Sequence, residues 1–321
     1  MPKLSTLLNP SRFRERIQHH GFGRLIYKTS AQFGVSSSAG FQLVRASKAA
    51  VSPKNVLARR GYRGAANGWS DAMPRDLGYR IYAPGEVPGS VEVAAACAKH
   101  AQSIMPQIEA LTGETFAVDL LHPDGPVSLD SNHIPSNLDL VPGLLDFALS
   151  APIVDAAIGY LKEMPVLGGL TLYASLPNQT LEGSQLYHCD QVDTRMFKAL
   201  IAVNDIAVEN GPFTFLDAVN TDKVKASKGP LAKRFTDEDI FKVVDESEQI
   251  PLKGPAGTTL YIDTHRCLHF GSRGNTKMRI LLEVLYQSRF AMESRWQLAQ
   301  QTYDRKKYAG DRRNALLLGL N

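Results

Sequence analysis

No stretch of the 321 residues approaches the roughly 18 consecutive apolar positions that a membrane-spanning helix needs. The N-terminal segment has no apolar h-region, so no secretory leader is expected. Cysteine is scarce: Cys97, Cys189 and Cys267 are too few and too scattered for a disulfide framework, and no Cys-x-x-Cys pair offers a structural zinc site. A glycine-rich phosphate loop, a zinc-finger spacing, low-complexity tracts and internal repeats are also missing, which excludes P-loop enzymes, solenoids and coiled coils. What remains is a globular chain, 44% hydrophobic, with enough apolar residues for one large core and an expected place in the reducing cytoplasm.

Acidic residues are nearly absent from the first part of the chain. Residues 1–63 hold twelve Lys and Arg, among them Arg12, Arg14, Arg16, Arg24, Lys28, Arg45, Lys48, Lys54, Arg59, Arg60 and Arg63, against Glu15 alone. The net charge of +4 therefore hides a basic arm beside an acidic body. Such an arm suits a membrane surface, a nucleic acid or an acidic partner, and its Arg-rich, acid-poor makeup is also that of an organelle transit peptide, the alternative to a cytoplasmic location. The plainer reading is a solvated basic face, with no nucleic-acid partner.

Hydrophobic spacing places helices first and strands later. Ser90, as N-cap, followed by Val93, Cys97, Ala101, Ile104, Ile108 and Leu111, predicts one amphipathic helix that closes before Gly113. Residues 141–149 and 153–161 predict two more helices separated by Pro152. From Val166 onward, short β-branched and aromatic runs divided by Gly, Pro, Asn and Asp predict an antiparallel sandwich or barrel. Residues 218–250 read as a charged insertion with a short helix near "TDEDIFKVV". The segment after Arg289 reads as helical and offers a surface for pairing with another subunit. The expected division is a basic arm with helices over 1–80, a β-rich domain with helical support over 81–290, and a C-terminal helical appendage over 291–321.

His188 and Asp190 sit two positions apart at the head of an apolar run, and His269 follows 79 positions after Asp190 in a short strand of its own. Two imidazoles and one carboxylate make a facial ligand set that leaves metal positions open, the arrangement of non-haem Fe(II) oxygenases. Arg279, ten residues further on, opens the next strand, and a guanidinium inside a pocket needs an anion with a matching planar face. His265 is the rival third ligand. Cys189, between two ligands, should point away and pack. Asn210-Gly211-Pro212 reads as a turn with Glu209 solvated, and Arg195 and Lys198 read as charges near a pocket mouth that either meet an acidic substrate or, on the plainer reading, solvate an edge strand.

The motifs "YHCD" (187–190), "ENGPF" (209–213) and "GPAGTTLYIDTHRCLHFGSRGNTKMR" resemble those of the phytanoyl-CoA dioxygenase-like branch of the Fe(II)/2-oxoglutarate oxygenases, over roughly 137–288. The resemblance implies a mainly β, α+β fold: a double-stranded β-helix, a cupin-like jelly roll, with helices packed on one sheet. It implies His188, Asp190 and His269 as metal ligands and Arg279 as the 2-oxoglutarate residue, with Tyr173, Thr171 and Ser272 as further cosubstrate candidates. The implied cofactors are Fe(II), 2-oxoglutarate and O2, and the implied reaction hydroxylates a small organic or lipid-derived molecule, releasing succinate and CO2. A carboxylate at 190 favours hydroxylation over halogenation. The chain departs from the family after the Gly-Pro strand, where "FLDAVNTDK" replaces the usual turn. Two other functions stay open at this point: a non-catalytic β-barrel binding protein, and an oxygenase acting on a macromolecule docked by the basic arm.

Overall fold

The structure, a computed structural model, describes residues 37–60, 62, 68–129, 136–191, 193–228, 234–292 and 298–320. Arg12, Arg14, Arg16, Arg24, Lys28 and Arg63 of the basic arm, and with them the transit-peptide reading, lie outside the described residues.

In chain order the elements are α1 (Ser37–Ala50), α2 (Pro53–Arg60), β1 (Tyr79–Tyr82), α3 (Ser90–Ser103), α4 (Met105–Ala110), β2 (Ala117–Asp119), β3 (Val127–Ser128), α5 (Leu144–Ala148), α6 (Ala151–Leu161), β4 (Val166–Ser175), β5 (Tyr187–His188), β6 (Phe197–Ala202) and β7 (Thr214–Phe215). They continue with α7 (Ala218–Lys228), β8 (Arg234–Phe235), α8 (Asp237–Phe241), β9 (Ile250–Pro251), β10 (Thr259–Ile262), β11 (His269–Phe270), β12 (Arg279–Gln287), α9 (Arg305–Ala309) and α10 (Arg312–Leu318). The strands form two antiparallel sheets, a seven-stranded one in the order β1-β10-β6-β12-β4-β2-β3 and a five-stranded one in the order β8-β5-β11-β7-β9.

The two-residue period of a strand decides which layer each side chain reaches. Along β12, Ile280, Leu282, Val284 and Tyr286 join the main core, where α3, α5 and α6 cover the large sheet. Leu281 instead joins a second apolar cluster shared with Phe213 and Phe215, in and beside β7 of the small sheet. Arg279 and Glu283 have the parity of Leu281 and line a cavity between the sheets. β4 repeats the rule, with Leu170, Leu172 and Ala174 in the main core and Thr171, Tyr173 and Ser175 on the cavity. A one-residue slip of β12 would carry Arg279 into the helix layer and four apolar side chains into the cavity. At about 1.5–3 kcal/mol for each large buried side chain, that penalty fixes the register.

Several elements differ from the pattern read off the sequence. The helix expected over 90–111 breaks at Ile104, because Pro106 in the first turn of α4 has no N–H to continue the ladder of α3. Gly89, at φ 85°, takes the N-cap position expected of Ser90, which starts the helix and is buried. Pro152 does not separate two helices but opens α6, where its missing N–H costs nothing. The stretch Leu144–Leu161 is long and apolar enough by composition to cross a membrane, yet it bends between α5 and α6 and 78% of it is buried in the fold. Residues 218–250 are more than an insertion. Asp217 Oδ1 accepts the Asn220 N–H at 2.7 Å and so caps α7, β8 pairs with β5, and Val224, Phe235 and Ile240 cover the outer face of the small sheet.

The expected boundary after residue 80 falls inside β1, and the C-terminal segment 291–321 contributes Leu316, Leu317 and Leu318 to the main core. Part of the basic arm is likewise internal rather than a solvated face. Arg45 pairs with Glu163 at 2.6 Å and Asp193 at 3.0 Å, and buried Lys48 donates to the carbonyls of Ala291 (2.6 Å) and Met292 (3.0 Å). Buried Arg59 donates to the carbonyls of Met164, Pro165 and Leu316. These three cations tie the N-terminal helices to the body.

Candidate metal centre

β5 and β11 are neighbours in the small sheet, and their register sets His188 opposite His269. Cross-strand partners hold their Cβ atoms about 5 Å apart, and the two rings lie side by side with centroids 4.4 Å apart. In each ring Nδ1 meets a carbonyl two residues earlier, Leu186 at 2.8 Å for His188 and Cys267 at 3.0 Å for His269. A carbonyl only accepts, so Nδ1 carries the proton in both rings and Nε2 presents a lone pair. Asp190 follows β5, and its Oδ1 lies 4.0 Å from His269 Nε2. The ligand atoms of His188, Asp190 and His269 all lie within 4.8 Å of one another, the one such group among the described residues. Burial drives the His269 imidazole down to about 3, so it stays neutral and able to ligate at physiological pH. Phe213 stacks on that ring at 5.2 Å.

Asp190 is aimed by its surroundings. Its Oδ2 accepts Thr264 Oγ1 at 2.6 Å and lies 3.0 Å from Lys198 Nζ, which leaves Oδ1 for a metal. Burial alone would raise this carboxyl, but Lys198 above all holds it well below the usual carboxylate range. The Asp190 backbone is also gripped: its N–H donates to the Thr264 carbonyl at 2.9 Å, and His265 Nδ1 donates to its carbonyl at 2.8 Å. His265 therefore braces Asp190 and stands outside the group of His188, Asp190 and His269. Cys189 turns away and packs in the cluster of Tyr187 and Leu268.

The segment that grips Asp190 is anchored by Asp263, whose Oδ1 accepts the Met196 and His265 N–H groups at 3.3 and 3.0 Å and whose Oδ2 accepts the Tyr160 hydroxyl at 2.7 Å. Burial pushes the Asp263 carboxyl from 3.8 up to about 6. A folded-state value above the unfolded one means stability that is fully present below pH 3.8 and is lost as pH rises through about 6. Asp263→Asn removes that loss. Its stability relative to the parent should climb between pH 4 and pH 7, by at most about 3 kcal/mol, since each ten-fold change in a proton-binding equilibrium is worth roughly 1.4 kcal/mol. Thermal melts of both proteins across that range test it, and parallel curves would refute the assignment.

At the other end of the cavity lies Arg279, only 1% exposed. Its Nη1 donates to the Gly211 carbonyl at 2.7 Å and its Nη2 to Ser175 Oγ at 2.9 Å. Two buried groups beside it, Arg279 Nε and Ser272 Oγ, have no hydrogen-bond partner among the described residues. An unmatched buried donor costs about 1–3 kcal/mol, so this corner of the cavity is built for an anion. Gly211 has φ 59°, and a Cβ there would come within 2.6 Å of Ser272 Oγ and 2.8 Å of Asn275 Cβ. Gly211→Ala should destabilise by about 2 kcal/mol or more and loosen the guanidinium, readable as a lower Tm together with weaker anion binding. A variant as stable as the parent would contradict this placement.

His188, Asp190, His269, Arg279, Tyr173, Thr171 and Ser272 thus all line one cavity of about 300 Å3. Its donor set and its orphaned cationic corner fit Fe(II) and 2-oxoglutarate. Two larger surface concavities, about 490 Å3 beside Asn178 and about 520 Å3 beside Arg195 and Arg266, lack the His-Asp-His group. Arg195 belongs to the second of these rather than to the mouth of the metal cavity. Lys198 is no solvated edge residue either: β6 runs between β10 and β12, and Lys198 points into the cavity, 3.0 Å from both Asp190 Oδ2 and Glu283 Oε1. The sequence reading missed Glu283, Thr264 and Ser175. A lone acid at cavity parity in "RILLEVLYQ" was the available signal for Glu283.

No protein-family model and no curated protein matches the chain. Among solved structures it is similar to the non-heme alpha ketoglutarate dependent carbocyclase SnoK from nogalamycin biosynthesis, at 15% identity and a TM-score of 0.42 over 69% of this chain and 83% of that one. It is also similar to the epimerase SnoN in complex with Fe3+, alpha ketoglutarate and nogalamycin RO, at 19% identity and a TM-score of 0.41 over 70% and 84%. A third likeness is to EctD from S. alaskensis with bound Fe, at 14% identity and a TM-score of 0.44 over 68% and 75%. Likenesses this distant leave the chemistry to be argued from the side chains.

Proposed function

We propose that the chain is an Fe(II)- and 2-oxoglutarate-dependent oxygenase of hydroxylase type that acts on a small organic substrate. Its two sheets are read as the double-stranded β-helix of the phytanoyl-CoA dioxygenase-like branch. One joint observation carries the reading: a two-histidine, one-carboxylate group shares its cavity with a buried guanidinium whose Nε, like the neighbouring Ser272 hydroxyl, has no partner among the described residues. His188 Nε2, Asp190 Oδ1 and His269 Nε2 would hold the metal from one side and leave the other side for ligands. Arg279 and Ser272 would bind the far carboxylate of 2-oxoglutarate, with Tyr173 between the two ends. The bound iron and cosubstrate supply the oxidising power, with succinate and CO2 as coproducts.

The protein's own part is placement and exclusion of water. Thr264 and Lys198 saturate one oxygen of Asp190, the carbonyls of Leu186 and Cys267 fix both imidazole tautomers, and Phe213 closes one wall. A carboxylate at 190 fills the position a halide would need, which favours hydroxylation. Three free cysteines suit a reducing compartment, in keeping with a cytoplasmic enzyme. With Fe(II) and 2-oxoglutarate in air the protein should form succinate, and omitting the metal or excluding oxygen should stop it. A protein that neither turns over nor binds 2-oxoglutarate would remove the reading.

A further inference from the structure

Resting on that reading of the cavity, we infer that its second half is a subsite for a zwitterionic, amino-acid-like substrate, recognised by Lys198 and Glu283 with help from Thr171. Strand register sets the dimensions. Arg279 pairs with Ser175, Leu281 with Tyr173 and Glu283 with Thr171, so the cavity-facing positions run in a line from the guanidinium corner to Glu283. Four residues of antiparallel strand separate Arg279 from Glu283, about 13 Å. A five-carbon diacid held at Arg279 extends only about 5 Å along that line, at roughly 1.2 Å per bond of an extended chain. The Glu283 end is left for another molecule.

What that end offers is specific. Lys198 Nζ sits 3.0 Å from Glu283 Oε1 and 3.0 Å from Asp190 Oδ2, with the Lys198 and Glu283 side chains 14% and 16% exposed. Of the three ammonium protons of Lys198, two are accounted for by these acceptors. The third, together with Glu283 Oε2 and the Thr171 hydroxyl, has no partner among the described residues. Once Asp190 is assigned to a metal, Lys198 and Glu283 cancel, leaving a neutral wall with one free cationic donor beside one free anionic acceptor. An ammonium and a carboxylate on neighbouring atoms of a ligand match both. A ligand that carries only an ammonium or only a carboxylate fills one of these two hydrogen-bonding positions and leaves the other desolvated without a partner, and a lipid-like ligand leaves both. The contact with Asp190 accounts for Lys198, but a buried ion pair adds little to stability over an apolar pair of similar volume, so fold stability alone gives Glu283 no reason to stand in the cavity wall.

The test uses the full chain loaded with Ni(II) and N-oxalylglycine, an unreactive stand-in for the cosubstrate, each titrated by calorimetry before any probe is added. The probes are α-amino acids of increasing side-chain length, each matched with its deaminated acid and its decarboxylated amine. At least one amino acid should bind ten-fold or more tightly than both of its analogues. In Glu283→Gln, which keeps the shape of the side chain and removes its charge, the advantage over the deaminated acid should vanish, and Thr171→Val should reduce it several-fold. If Ni(II) and N-oxalylglycine bind but no amino acid outperforms its analogues, the substrate inference is overturned while the oxygenase reading stands. The same holds if the advantage survives Glu283→Gln in protein that still binds Ni(II) and is therefore folded. If Ni(II) itself fails to bind the parent protein, both fall together.

Discussion

Arg279→Met should raise the Kd for 2-oxoglutarate by about 30-fold or more. The guanidinium is almost fully buried, two of its nitrogens are fixed by Gly211 and Ser175, and its Nε has no partner among the described residues. Burial lowers its pKa below the usual arginine range, which marks the cost of keeping an unneutralised cation there, although an arginine stays charged. A dianion that supplies the missing partner gains a fully desolvated, charge-assisted contact. Removing one side of such a pair costs about 2–5 kcal/mol, or roughly 30-fold to several thousand-fold in affinity. Arg279→Lys keeps the charge and loses the planar fork, so its loss should be intermediate. Titration by calorimetry gives the values. As a second readout, 2-oxoglutarate should raise the Tm of the metal-loaded parent and leave that of Arg279→Met nearly unchanged. Equal affinities for parent and variant would mean that the anion binds elsewhere.

Metal affinity should fall by at least about 100-fold in His269→Ala and in Asp190→Ala, and by less in Thr264→Val. The three ligand atoms come from a strand pair and the loop just after it, so losing one leaves a two-point site that cannot close a face around an ion. Thr264 never touches the ion. It holds Asp190 Oδ2 from behind, and partners of that kind are worth about 10–100-fold in metal affinity. Co(II) or Ni(II) titrations of the three variants give the order directly. A Thr264→Val variant that binds metal as poorly as His269→Ala would show that the carboxylate is positioned by something other than this hydrogen bond.

How far the sequence could be read depended on whether a residue's role was local. His188 and Asp190 are two apart at a strand end, and Arg279 begins the strand that carries it, so the strand period was enough to bring those groups toward one space. His269 could be placed because its two-residue strand stands alone between turn-forming stretches. Lys198 could not be placed in the same way. Beside Arg195 it looked like a charge on an edge strand, and only the order of the large sheet puts β6 inside, with β10 from some sixty residues later on one flank and β12 on the other. That neighbour relation is non-local and leaves no trace in the local pattern. The role of Thr264 likewise depends on a loop meeting Asp190 from 74 positions away. The helix break at Ile104 was legible in principle from Pro106 and was overridden by a good apolar spacing. Arg45, Lys48 and Arg59 show the reverse error, because charge counted along the chain says nothing of which cations find carbonyls and carboxylates inside the fold.

The most direct test of the central claim is iron-edge anomalous diffraction from crystals soaked with Fe(II) and 2-oxoglutarate without oxygen. The account predicts a single peak within coordination distance of His188 Nε2, Asp190 Oδ1 and His269 Nε2, and a keto diacid whose far carboxylate meets Arg279 and Ser272. Iron bound away from these three atoms, or a diacid that leaves Arg279 Nε still unpartnered, would contradict it.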